Sequence, residues 1–145
     1  MLTVYPACFF KDEDGYTVVF PDLENGNLAT FGKNMEEAVL MAVDCLAGYI
    51  YISKKFGDPI PKPSSISDID INAIEKDFID DGCPRSTEKF VNLISVNVNE
   101  YAKEHFEKSV KKTLTIPTWL NELAIEQNIN FSQVLQEALL EKLRA

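Results

Sequence analysis

Two short apolar runs, "TVYPACFF" (3–10) and "YTVVF" (16–20), flank a polar stretch within the first twenty positions. The runs predict two strands, and the intervening "KDEDG", with its Asp14-Gly15 pair, predicts a hairpin turn. Tyr16, Val18 and Phe20 share one face of the second strand. Pro6 has no N–H for a ladder, so the first strand is expected to have an edge or a bulge there. A third strand is expected in "LATFG" (28–32), after the turn "DLENGN". The period then changes. Asn34 with Glu37 has the spacing of a capping box and opens a helix to about Lys54. Met35, Val39, Ala42, Leu46 and Tyr49 make its apolar stripe, widened by Ala38, Met41 and Cys45, so the helix is expected to pack across the sheet. Lys54 and Lys55 suit its negative end, and Gly57 with "DPIPKP" ends it.

Between Asp68 and Asp81 the chain holds six carboxylates and one lysine. The segment 64–84 therefore reads as a loop with short irregular turns. Ile66, Ile69, Ile71, Ile74, Phe78 and Ile79 pin it to the domain. "KFVNLISVNV" (89–98) restores strand character, and Asn97 or Asn99 caps a following helix, "EYAKEHFEKS". Residues 1–109 are thus expected to form a β-β-β-α-β-α unit, a sheet covered by helix, with the boundary at Ser109 and Val110.

The tail, residues 110–145, has its own pattern. In "KKTLTIP", Leu114 and Ile116 face one way, and Lys111, Thr113 and Thr115 the other. Pro117 stops this strand and suits the first turn of a helix. Leu120, Leu123 and Ala124 follow at helical spacing beside Trp119. Asn130 and Gln133 form a second capping box, opening a helix whose buried side is Phe131, Val134, Leu135, Ala138, Leu139 and Leu143. One strand and two short helices cannot bury this much apolar surface alone. A two-fold dimer that pairs the strands and interlocks four helices can, with Leu114, Ile116, Trp119, Leu120, Leu123, Phe131, Leu135 and Leu139 as its core. Its two-stranded ribbon would present Lys111, Thr113 and Thr115 at the width of a DNA major groove, with Lys112 beside them. The helix start at Asn130, with Ser132, suits a flanking phosphate. On the residues alone two readings stand: a DNA reader, and a dimerisation module whose strand surface is merely solvated. Four lysines per dimer are few for DNA, so paired dimers, a tetramer, or paired operator sites are also expected.

Charge sharpens this division. The tail holds four basic and four acidic side chains, so the whole net charge of −9 belongs to residues 1–109. That part should repel nucleic acid and attract a basic partner. The three cysteines are far apart and lack the spacing of a metal or redox pair, so they read as reduced, mostly buried residues in a cytoplasm. Neither a membrane segment nor a secretory signal is expected, because Leu2 to Phe10 is followed at once by four charged residues. Catalysis is not expected either. Asp12, Glu13 and Asp14 read as a solvated turn, the single histidine, His105, lacks a nucleophile to activate, and no metal or cofactor set is visible.

Two stretches resemble the HicB antitoxin family. The first, "YPACFFKDEDGYTVVFPDLENGNLATFGKNMEEAVLMAVDCLAGYI" (5–50), is similar to its N-terminal domain. The second, "KKTLTIPTWLNELAIEQNINFSQVLQEALLEKL" (111–143), is similar to the ribbon-helix-helix tail of one branch. The chain departs from the family at Glu24-Asn25-Gly26-Asn27, where a Pro-Gly-Cys-like turn is common. The resemblance implies an α/β (α+β) fold: a partial ribonuclease-H-like sheet covered by helix, followed by a ribbon-helix-helix domain. It also implies a cytoplasmic homodimer with two functions. One is to bind and mask a small basic HicA-type ribonuclease toxin, for which Tyr16, Asp22, Glu24 and Asn25 are the candidate contacts. The other is to repress its own operon by binding operator DNA. The competing account is an orphan ribbon-helix-helix regulator whose N-terminal domain senses a ligand or oligomerises.

Overall fold

A computed structural model describes residues 1–144 of the chain. Four antiparallel strands, β1 (Thr3–Lys11), β2 (Tyr16–Phe20), β3 (Leu28–Gly32) and β4 (Glu88–Val96), form one sheet in the order β3-β2-β1-β4. The β1–β2 hairpin turns where Asp14-Gly15 predicts. Asp12 N–H donates to the Gly15 carbonyl at 2.9 Å, and the Asp12 carboxylate accepts the amides of Asp14 at 2.8 Å and Gly15 at 3.1 Å. These bonds give Asp12 a structural task in the turn.

Pro6 makes no bulge but stands at a local edge, with β1 paired there on one side only. β1 is central, and its register with β4 runs unbroken from Thr3–Val96 to Lys11–Glu88. On the other side β2 reaches only to Cys8, so the proline sits where that ladder has already ended.

The helix α1 (Met35–Phe56) covers one face of the sheet. Asn34 Oδ1 caps it by accepting from Glu37 N–H at 2.8 Å, while Glu37 reaches back to the Lys33 amide at 2.9 Å. Gly57, in the left-handed region at φ 71°, closes it. Ala38, Ala42, Leu46, Ala47 and Ile50 are buried against Tyr5, Ala7, Phe9, Val18 and Phe20. The small residues let the helix approach closely: a Cβ on Gly32 would lie 2.2 Å from Ala38 N. Helix α3 (Val98–His105), capped by Asn97, packs beside α1, and the Tyr101 hydroxyl donates to Asp44 at 2.8 Å.

The other face carries the largest departure from expectation. Residues 71–80 are not a loop but a ten-residue helix, α2 (Ile71–Asp80), capped by Asp70. Its Ile71, Ile74 and Phe78, with Ile69, pack on a second core of Cys8, Phe10 and Val19. Glu75 is buried on the same side, paired with Lys89 Nζ at 2.8 Å and bonded by the Ser86 hydroxyl. Its local signals are there to read: Asp70 stands at the cap position, and Ile71, Ile74 and Phe78 recur at helical spacing among the acidic residues.

The chain divides into two compact units, Met1–Lys108 and the residues from Ser109 onward. The second holds α4 (Thr118–Glu126) and α5 (Phe131–Arg144). α4 ends in a Schellman turn: Asn128, at φ 56°, donates to the Ile125 carbonyl and Ile129 to that of Ala124, each at 3.0 Å.

Candidate functional site

In the first unit, the sequence candidates are not equivalent. Tyr16 is buried in the core, under the Lys11 ammonium. Asp22 is committed internally, its carboxylate accepting Ser64 N–H at 2.8 Å and the Ser64 hydroxyl at 2.5 Å. With the Tyr5 hydroxyl donating to the Pro61 carbonyl, it staples the segment after α1 to the sheet. Glu24 and Asn25 remain on the surface, in a short turn where both take left-handed φ, 49° and 57°. Such backbone is uncommon outside glycine, although Asn tolerates it best.

What sequence reasoning missed is the surface of α1. Met35, Val39 and Met41, expected in the buried stripe, are exposed, and so are Leu40 and Ile52. The helix is apolar nearly all round, so periodicity alone spreads the stripe too widely. The true stripe is the one that the small residues Ala38, Ala42 and Ala47 allow to approach the sheet. Towards its C-terminus, α1 has two flanks of different charge. Tyr49, Ile52 and Ser53 share an open groove with Glu24 and Asp58. Tyr51, Lys54 and Lys55 share another with α3.

The cysteines are all free thiols. Burial pushes the Cys8 thiol up to about 11, and burial together with the carboxylates of Asp44 and Glu24 raises that of Cys45. Both are therefore poor nucleophiles at neutral pH. Cys83 is exposed, against expectation, because the turn after α2 lies outside both cores. His105 stacks on Tyr101 at 3.9 Å, with its Nδ1 at 2.9 Å from the Tyr101 carbonyl. Among the described residues no group of three or more His, Cys, Asp or Glu is placed to hold a metal ion.

In the second unit the helices lack a core of their own. No residue of α4 or α5 is buried. Leu114, Ile116, Trp119, Leu120, Leu123, Phe131 and Leu139 are exposed, and Leu135 is half-buried. The expected strand over 111–117 carries no ladder in the single chain, because a strand needs a partner to pair with. Lys111, Lys112, Thr113, Thr115, Asn130 and Ser132 are all exposed, and Asn130 Oδ1 caps α5 by accepting from Gln133 N–H at 3.1 Å.

Comparison with known proteins decides the family. Residues 4–73 match the HicB-like antitoxins of bacterial toxin–antitoxin systems. A chain of a toxin–antitoxin complex from Streptococcus pneumoniae is 34% identical, with a TM-score of 0.63 over 98% of this chain and 99% of that one. The chain belongs to the HicB-like antitoxin family. Antitoxin HicB of Burkholderia pseudomallei is also similar, at 17% identity and a TM-score of 0.49, over 98% of this chain and 97% of that one. No curated relative matches. HicB-like antitoxins are binding and regulatory proteins rather than enzymes. Among the described residues no helix is long and apolar enough to cross a membrane.

Proposed function

We propose that this antitoxin neutralises a small basic ribonuclease toxin of the HicA type and represses its own operon through its tail. One observation carries the dimer on which the second role depends: most apolar side chains of residues 114–143 lie on the surface of the single chain. Roughly 35 residues with no buried position do not fold stably alone. A second copy that pairs the strands of residues 111–117 antiparallel covers those side chains and completes the ladder together. The resulting ribbon-helix-helix presents Lys111, Thr113 and Thr115 to the major groove, with Lys112 reaching the DNA from beside them and Asn130 and Ser132 at a flanking phosphate.

Toxin binding belongs to the acidic first unit. Glu24 and Asn25 are the exposed members of the candidate set, and Glu24 shares its groove with Asp58, Tyr49 and Ile52. Carboxylates around an aromatic ring and an exposed isoleucine suit the basic side chains and apolar stems of a cationic partner.

The test separates the two roles. The untagged chain is co-purified with the small basic protein encoded beside it, and RNA cleavage by that protein is measured alone and in complex. Lys111→Ala with Thr113→Ala should weaken operator binding by at least ten-fold, about 1.4 kcal/mol or more, and leave inhibition of cleavage intact. Equal loss of both would refute separate modules. Absence of any partner would favour the orphan regulator.

A further inference from the structure

At about 100° of rotation per residue, Tyr51, Lys54 and Lys55 lie on the flank of α1 roughly opposite Tyr49, Ile52 and Ser53. The flank with Glu24 and Asp58 is used above for a basic partner. The other lines an open groove of about 460 Å³ with Asn99, Lys103 and Glu107 from α3 and the turn after it. We infer that this lysine groove is a contact for DNA phosphates flanking the sequence the tail reads; the inference rests on the DNA-binding reading of the tail.

Lys54 and Lys55 alone have an ordinary explanation, since cations offset the negative end of a helix. Lys103 likewise stands in the last turn of α3, but that explanation does not account for the two helix ends bringing all three lysines to one groove. Three exposed cations lining one groove make it a local attractor for an anion. Among the described residues none of the three is ion-paired, whereas Lys89 in the same unit is held by Glu75 at 2.8 Å. Glu107 is the one carboxylate in the lining, so the groove is locally positive in a part of the chain that carries a net −9. The Lys55 ammonium lies over the Tyr51 ring, 5.2 Å from its centroid, which steadies it at the rim.

The overall negative charge does not forbid this use, because at physiological salt fields decay over about 8 Å and a local patch governs close contact. Duplex DNA is the anion the chain itself points to. The tail brings only Lys111 and Lys112 to the ribbon, too few positive charges for strong phosphate binding. Lys103 is tethered to Lys111 by a stretch that spans no more than about 30 Å, less than one turn of duplex, about 34 Å. A tether of that length allows a groove lysine to reach a phosphate flanking the same site.

The experiment uses the full-length protein and two duplexes, one from upstream of its own gene and one scrambled, titrated by fluorescence anisotropy between about 50 and 200 mM salt. Lys54→Gln/Lys55→Gln/Lys103→Gln removes six charges per dimer. Affinity for both duplexes should fall at least ten-fold at low salt. The slope of log K against log salt should become shallower by about 2 or more, at roughly 0.9 per lost phosphate contact. The corresponding arginine variant should restore both, which excludes misfolding as the cause. If the wild-type chain binds neither duplex, the DNA reading of the tail fails and this inference with it. Wild-type binding with an unchanged slope in the glutamine variant overturns the groove alone.

Discussion

Trp119 is the only tryptophan in the chain, and 63% of its surface is exposed. With roughly 250 Å² for a tryptophan, about 150 Å² awaits a partner. At about 25 cal/mol per Å², complete burial contributes close to 4 kcal/mol per protomer. Allowing half for incomplete coverage leaves about 2 kcal/mol per protomer and about 4 per dimer, or roughly a thousand-fold in dissociation constant. Trp119→Ala should therefore weaken self-association by about that factor, read by sedimentation over a concentration series. The wild-type protein supplies a second reading without any label. As concentration rises, its tryptophan emission should move to shorter wavelength and become protected from iodide, in step with the change in mass. Emission that stays water-like while the protein is demonstrably dimeric would refute the interface, as would an unchanged dissociation constant in Trp119→Ala.

Other consequences concern the first unit. Asp22→Ala removes both bonds to Ser64 and should destabilise the unit by about 2 kcal/mol in urea titration, while affinity for the toxin at saturating folded protein stays unchanged; lost affinity without lost stability would restore Asp22 as a contact. Gly32→Ala places a methyl against the backbone of Glu37 and Ala38, all three of its nearest atoms lying within 2.7 Å. Overpacking of this kind costs about 1–3 kcal/mol, seen as a lower thermal midpoint. Chiefly its hydrogen bond from Lys89 holds the Glu75 carboxyl below its usual value of 4.5. On acidification the unfolded chain therefore takes up this proton first, so the stabilisation is complete above about pH 4.5 and is lost as pH falls through the lower, folded value. Amide exchange in residues 71–80 should rise in that acid window in the wild-type protein, and Glu75→Gln should show no such step.

Features whose physics is confined to a few neighbouring residues were legible in the sequence. The Asp14-Gly15 turn and the caps at Asn34, Asn97 and Asn130 stand where their side chains predict, because each is a bond between groups three or fewer positions apart. Strand and helix periods in β1, β2, β3, α1, β4 and α3 were equally local. The tail's apolar positions were also legible, and so was their demand for a partner that a single chain does not supply.

Only the tertiary structure decided the rest. The cap and apolar stripe of α2 lie in one window, but what that stripe covers was decided by tertiary contact: Ile71, Ile74 and Phe78 meet Cys8, Phe10 and Val19, more than fifty residues away in the chain. Asp22 became an anchor through Ser64, 42 positions on. α1 buried its alanines and exposed Met35, Val39 and Met41, because the closeness of β3 at Gly32 selected which side could approach. The lysine groove exists because two helices distant in sequence pack side by side. Local order follows from dihedral preferences and short-range hydrogen bonds, which the chain carries in every window. Which apolar face is covered, and which charges meet, depends on long-range packing that no single window encodes.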